Sequence, residues 1–394
     1  MANGRRGCAR WMPAVPWESM WVTDRKDLLQ EFLAGAGWAT GQRSPLAGDA
    51  STRRYERLTG PQGTAVLMDA PPGAEAPSCP PDAGVAERQT LGYNALARLA
   101  GPDTAPFVAI GQWLNGLGLS APRVLAADLT HGFLLLEDLG DTLFTKVLGR
   151  GARQTDLYRA AVDTLVDLHD QTPPAPLPLP DGGHVQLSLY DATALRAEVN
   201  LLIEWFLPLI TGKPVSDAVR RSYEAAWDSA FAHVIDPKPV LVLRDYHADN
   251  LIWLPERGGV ARVGLLDFQD GVIGARAYDL VSLLEDARRD VPEALGDGML
   301  SHYCRLVRAR DRVFDESVFR LTYAALGAQR NTKIVGIFAR LFRRDGKPQY
   351  LQYLPRVWRY LEADLNHDAL VEIKSWFDAH VPRRFRTEPL GGGA

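Results

Sequence analysis

The chain contains no run of 18 apolar residues, so no segment of it reads as a membrane-spanning helix. Residues 1–21 are basic and then Trp- and Pro-containing, without an apolar h-region or a small-residue cleavage site, and so are not a secretion signal. Met20 directly precedes the first helical pattern, Leu28, Leu29, Phe32 and Leu33; residues 1–21 read as a disordered extension, the first 19 of them upstream of a start at Met20. Cysteine is scarce: Cys8, Cys79 and Cys304 are odd in number and far apart, which excludes a disulfide framework and a zinc cluster and points to a reducing, cytoplasmic compartment. Neither sign of charge is in excess. With 44 Lys and Arg against 48 Asp and Glu, the net charge of −4 leaves no footprint for nucleic acid or a membrane surface. Internal repeats are also lacking, no protein partner is evident, since the Pro-rich tract from Thr172 to Pro180 reads as a stiff connector rather than a docking motif, and no lysine occurs between Lys26 and Lys146.

What is present is an ordinary globular composition, 46% hydrophobic and 23% charged over 394 residues. That length favours two lobes sharing a cleft over one large core. The most informative stretch runs from Pro239 to Asp279. Three apolar runs, Val240–Leu243, Leu251–Leu254 and Val263–Leu266, read as short strands, and Asp245, His247, Asp249, Asn250, Asp267 and Asp270 fall at their ends. Asp245 and Asn250 stand five residues apart, as in the Asp-x-x-x-x-Asn of a kinase catalytic loop, with Arg244 before the Asp and Leu243 where a kinase keeps His. Asp267-Phe268 follows after a hairpin. Phosphoryl transfer needs a carboxylate to orient and deprotonate the acceptor hydroxyl, and hard oxygen ligands for Mg²⁺. Asp245 suits the first task; Asn250 and Asp267 suit the second. Two other readings stay open. On an extended strand Asp245, His247 and Asp249 would share a face and form the metal site of a hydrolase, and isolated acidic residues are often only solvated or helix caps.

LRDYHADNLIWL, then LLDFQD and AYDLVSLLED, resembles the aminoglycoside phosphotransferase and choline kinase superfamily, from about Arg43 to about Leu365. GDASTRRYERL, VLMDAPP, FLLLEDLGD, LIEWFLP and QRNTKIVGIFARL are similar in detail to the bacterial anomeric kinases of N-acetylmuramate and N-acetylglucosamine, which act in cell-wall recycling. The resemblance implies a bilobal, protein-kinase-like α+β fold: a small antiparallel-sheet N-lobe over residues 22–139, a larger, mainly helical C-lobe over 140–383, and a frayed tail over 384–394. It implies ATP as co-substrate, Mg²⁺, and an amino-sugar acceptor. Kinases of aminoglycosides or choline would share the same catalytic residues, and a catalytically dead binding module is the remaining alternative.

Taken in order, Gly48, Ala50 and Ser51 allow backbone amides near a phosphate, ahead of a hairpin made from Tyr55–Leu58, the turn Gly60-Pro-Gln-Gly63 and Ala65–Met68. The strand lysine of kinases falls at Met68, so a nearby arginine must carry the positive charge. If the strand register starts at Arg53, then Arg53, Tyr55 and Arg57 share one face and Arg54, Glu56 and Leu58 the other, with Arg53 favoured as the inward residue. Residues 71–84 read as a mobile loop, and Leu91–Leu99 and Phe107–Leu117 as helices. By resemblance Glu137 and Leu139 belong to the interlobe hinge that meets the adenine, and Asp279 braces the catalytic loop through backbone amides. His247, Glu198, Asp270 and Arg276 are candidates for the acceptor site. Further helical patterns cover Leu157–Leu168, 193–207, 295–308, 316–340, 350–365 and 369–380.

Overall fold

The computed structural model describes residues 24–46, 52–74, 76, 78–151 and 153–390. Its first lobe is built on strands β1 (Gln42–Pro45), β2 (Arg54–Gly60), β3 (Gly63–Asp69), β4 (Val124–Asp128) and β5 (Phe133–Glu137). They form one antiparallel sheet in the order β1-β2-β3-β5-β4. The β2–β3 turn needs only Pro61 and Gln62, because Gly63 takes φ 108°, which a side chain would resist. Strand alternation then sorts the two faces. Leu58, Ala65 and Leu67 are buried against Leu29, Leu33 and Trp38, the first two from helix Arg25–Gly35. The opposite face carries the Tyr55–Met68 pair, and Met68 joins the core shared with the second lobe.

Helix Ala105–Gly116 connects the lobes mechanically, since Phe107 stacks on Phe268 with ring centroids 4.6 Å apart. Beyond β5 the chain is mainly helical. Strands β6 (Leu177–Pro178) and β7 (His184–Val185) form a small ribbon. The Pro239–Asp279 stretch forms β8 (Val240–Val242), β9 (Leu251–Trp253), β10 (Val263–Leu265) and β11 (Val272–Gly274), paired β8 with β11 and β9 with β10. The longest element, helix Glu316–Asp345, starts where the Asp315 carboxylate accepts from the amides of Ser317 at 2.8 Å and Val318 at 3.1 Å. It ends at Gly346 in the left-handed conformation. At Gly336 a Cβ would lie 2.4 Å from the carbonyl carbon of Leu201, so only glycine lets this helix pass so close to the Ala192–Leu201 helix.

Several sequence expectations are corrected here. The expected Leu91–Leu99 helix is instead two pieces, Val85–Leu91 and Tyr93–Leu96, broken where Gly92 takes φ 94°. Within the segment read as a mobile loop, Ala83 is buried, and the Arg98 guanidinium reaches Cys79 Sγ at 3.1 Å and the Pro80 carbonyl at 3.0 Å. The chain does not fray at Arg384. Helix Arg384–Thr387 is clamped by buried Arg386, which donates to the Val381 carbonyl at 2.9 Å and pairs with Asp378 at 2.7 Å. Helix Asp217–Phe231, with Tyr223, Ala226, Trp227 and Ala230 buried, is a further element that the expectations omit.

Two carboxyls are buried where the long helix meets helix Leu354–Asp364. Asn331 Nδ2 donates to Glu285 Oε2 at 2.6 Å and to Asp364 Oδ2 at 3.2 Å. Burial pushes the Glu285 carboxyl up to about 7, and burial together with the Glu285 charge raises Asp364 well above the ordinary range. The folded state therefore holds a proton that the unfolded chain, with a glutamate value near 4.5, would release. Its stabilising contribution is complete below about 4.5 and is lost as pH rises to about 7. Glu285→Gln, which stays neutral, should gain in Tm relative to the parent as pH goes from 5 to 8 in calorimetric scans; parallel curves would show that Glu285 does not titrate in this window.

Candidate active site

The catalytic loop is held from below. Asp279, fully buried near the start of helix Ala277–Leu284, accepts from the amides of Leu243 at 2.7 Å and Arg244 at 2.8 Å. Those two bonds fix the loop as it leaves β8, where Arg244 adopts φ 69°, a strained conformation for a non-glycine residue. The Arg244 side chain runs inward, donates to the carbonyls of Ala97 at 2.9 Å and Arg98 at 3.3 Å, pairs with Glu198, and lies over the Tyr190 ring at 5.0 Å. The loop is thereby tied to both lobes.

Tight turns then bring the chemistry together. His247 N donates to the Asp245 carbonyl at 3.1 Å and Asn250 N to the His247 carbonyl at 2.9 Å. Asn250 Nδ2 donates to the Asp245 carbonyl at 3.0 Å and to Asp267 Oδ2 at 3.3 Å. Asp267 arrives opposite because Leu266 N donates to the Asn250 carbonyl at 3.0 Å, and it too has positive φ, 57°. Gln269 Nε2 donates to Asp267 Oδ1 at 2.7 Å.

The two carboxylates are tuned apart. Burial works to raise half-buried Asp245, but nearby basic groups, Lys333 first and then His247, Arg330 and Arg244, outweigh it and hold the carboxyl below the ordinary aspartate value. Asp267 faces the open cleft while protein packs densely on its other sides. That dense surround, and then the Asp245 charge, push its carboxyl up to about 6, with Gln269 and Arg53 opposing. A carboxylate raised by a neighbouring carboxylate favours a bound cation. The Asp267 and Asn250 oxygens are hard donors that suit Mg²⁺, which usually takes one or two carboxylates and keeps several waters.

The expected residues fall into two groups. Arg53 and Tyr55 lie on the cleft side, with Arg53 Nη2 donating to the Gly101 carbonyl at 2.6 Å. Arg57, on the same face, pairs with Asp138 at 2.7 Å and Asp141 at 2.8 Å. Glu137 ends β5 with its carboxylate on Arg123 at 3.1 Å and Arg257 at 3.0 Å. Leu139 packs on Ile252 and Leu254. Ser51 lies outside the described residues. The acceptor candidates need correction. Glu198 is fully buried and cannot face an acceptor; it pairs with Arg244 and with Lys333 at 3.0 Å and accepts from Gln329 at 2.9 Å. Arg276 is buried away from this group, bonded to Asp236 at 3.0 Å. Asp270 accepts from Ala100 N at 2.6 Å. His247 turns inward while Asp249 faces Arg288 at 3.9 Å, so Asp245, His247 and Asp249 do not share a face. Among the described residues no group of three His, Cys, Asp or Glu stands ready to hold a metal.

Sequence reasoning missed Lys333 and Arg330. Both project from the long helix, and the available signal was a pair of cations three apart within the polar stretch from Gln329 to Lys333.

A model of the phosphotransferase enzyme family matches residues 42–314. The chain belongs to that family. Within it, the chain is 45% identical over 360 residues to the N-acetylmuramate/N-acetylglucosamine kinase of Caulobacter vibrioides, covering 91% of this chain and 98% of the relative. It is 32% identical to the kinase of the same name from Pseudomonas aeruginosa, over 85% of this chain and 88% of the relative. Among solved structures, a choline/ethanolamine kinase family protein from Mesorhizobium loti superposes with TM-score 0.52 at 14% identity, covering 89% of this chain and 98% of that one. A putative aminoglycoside phosphotransferase from Ralstonia eutropha JMP134 gives 0.50 at 17% identity, with the same coverages. The family fold is therefore the bilobal kinase-like one, and the enzyme is a phosphotransferase.

Proposed function

We propose that this chain is an ATP-dependent kinase that phosphorylates the anomeric hydroxyl of N-acetylmuramate and N-acetylglucosamine, giving the α-1-phosphate for peptidoglycan recycling in the cytoplasm. The observation that carries the chemistry is the placement of Asp245, kept ionised by surrounding cations, beside the Asn250–Asp267 pair. The choice of acceptor rests on the names of the relatives that the chain matches over most of its length.

In this reading Asp245 orients the sugar hydroxyl and takes its proton as the oxygen attacks the γ-phosphorus, the bond to the β-phosphate oxygen breaks, and ADP leaves. Asn250 and Asp267 would hold Mg²⁺, which when bound neutralises charge on the phosphate oxygens. The hinge at Glu137–Leu139 would meet the adenine, with Leu139 set firmly against Ile252 and Leu254. ATP consumption measured against amino sugars, aminoglycosides and choline, with Mg²⁺ and with EDTA, tests the reading: turnover is expected with the amino sugars only and not in EDTA. Turnover with an aminoglycoside or choline alone would reject the acceptor assignment.

Without a strand lysine, Arg53 is the residue for the ATP phosphates, since a guanidinium forks onto two oxygens. Arg53→Ala should raise the KM for ATP about tenfold or more, the loss of one charge-assisted contact, whereas Arg54→Ala, on the opposite face, should leave it near the parent value. Parent-like KM in both variants would place phosphate neutralisation elsewhere.

A further inference from the structure

Residues 97–101, between helix Tyr93–Leu96 and helix Ala105–Gly116, carry a bond from each of the three loops that meet at the candidate site. Arg244 of the catalytic loop donates to the Ala97 carbonyl at 2.9 Å. Asp270, which stands three residues after Asp267, accepts at 2.6 Å from the amide of buried Ala100. Arg53, directly before β2, donates from Nη2 to the Gly101 carbonyl at 2.6 Å. The backbone that receives these bonds has little freedom to take another course. Arg98 and Gly101 adopt φ 57° and 58°, and a Cβ on Gly101 would lie 2.8 Å from the Ala76 carbonyl oxygen.

Two of these bonds fall on neighbouring residues. Asp270 holds the Ala100 amide, and Arg53 leans on the Gly101 carbonyl, so the position of the guanidinium depends on a piece of backbone that the metal loop itself anchors. A guanidinium is a planar fork, and a bond at Nη2 restricts where its other donors point. In protein kinases a strand lysine held by a helix glutamate sets the grip on the phosphates; here Met68 stands at the strand position. Resting on the functional reading above, we propose that Asp270 is a positioning residue: its bond to Ala100 holds residues 100–101 so that Arg53 meets the ATP phosphates in register with Asp267. Asp270 then acts on the nucleotide through Arg53, and not on the acceptor.

The experiment compares the parent enzyme with Asp270→Ala, Asp270→Asn, Arg53→Ala and the double variant Asp270→Ala/Arg53→Ala. Calorimetry reads ATP affinity with Mg²⁺ and in EDTA, and kinetics read the KM for N-acetylglucosamine. Both Asp270 variants lose the same charge, but only asparagine keeps an oxygen for the Ala100 amide. Loss of that charge-assisted bond predicts ATP affinity about tenfold weaker in Asp270→Ala, with Mg²⁺ and in EDTA alike, and within about threefold of the parent in Asp270→Asn. The sugar KM should stay within about twofold in both, and the double variant should bind ATP within about twofold of Arg53→Ala alone, because the two changes break one linkage. Additive losses would mark a merely structural aspartate, a loss seen only with Mg²⁺ would mark a metal ligand, and a raised sugar KM with unchanged ATP affinity would mark an acceptor contact. Each of these overturns the proposal and leaves the kinase assignment standing. Should Asp270→Ala fail to fold, Asp270→Ser, polar but too short to reach the amide, takes its place in the same comparison. If Arg53→Ala binds ATP as the parent does, the phosphate role of Arg53 fails and the proposal falls with it. The ATP arms are read by binding alone, so a parent that phosphorylates neither sugar rejects the acceptor assignment separately.

Discussion

Asp245→Asn should lower kcat by a factor of about 10² to 10⁴ with little change in the KM for ATP, because the amide keeps the shape and polarity of the side chain but cannot accept the acceptor's proton. The loop should keep its conformation. Its geometry is set by the bonds from Leu243 N and Arg244 N to Asp279, and by the Asp245 backbone carbonyl accepting from Asn250; none of these uses the Asp245 carboxylate. The substitution also removes the charge that raises Asp267, so the Asp267 carboxyl should titrate lower in the variant. NMR titration and steady-state kinetics on one sample separate these effects. Near-parent turnover would remove Asp245 from the proton transfer.

The second large effect is expected at Asp267. Asp267→Ala removes the single carboxylate of the proposed metal pair and leaves the neutral amide of Asn250, too weak a ligand for a cation that dehydrates reluctantly. Affinity for MgATP should fall at least about tenfold, while affinity for ATP in EDTA should match the parent, because the proposed hinge and Arg53 are untouched. Calorimetry with and without Mg²⁺ reads both numbers, and unchanged MgATP affinity would contradict the metal role. Asp267 holds its position at some cost: φ of 57° is strained for an aspartate, and the Asn250 and Gln269 side chains that bond it supply the restraint.

Much of this site was legible from short-range pattern. Val240–Leu243, Leu251–Leu254 and Val263–Leu266 are apolar runs closed by charged or turn residues, and strands of that kind place their loop residues within one or two positions. Alternation sorted the residues of β2 into two faces but did not decide which one met the cleft; in the structure Leu58 joins the apolar layer and Tyr55 lies opposite it. What escaped was decided by tertiary pairing. Arg276 and Glu198 look like binding residues in sequence, and nothing local reveals that one meets Asp236 and the other meets Arg244 and Lys333. Lys333 and Arg330 lie more than eighty residues beyond Asp245, on a helix whose apolar periodicity reads as core. The contacts that Arg98 makes with Cys79 and Pro80 are likewise tertiary, from a residue that itself adopts positive φ, and no local pattern announces them.

The central claim is transfer of the ATP γ-phosphoryl group to the anomeric oxygen of an N-acetylated amino sugar. Phosphorus and proton NMR of a reaction containing ATP, Mg²⁺ and N-acetylglucosamine or N-acetylmuramate observe it directly. The account predicts that a sugar 1-phosphate of α configuration accumulates in step with ADP, the phosphorus coupling to the anomeric proton. Phosphate on any other sugar oxygen, or ADP formed with inorganic phosphate and an unmodified sugar, would contradict it.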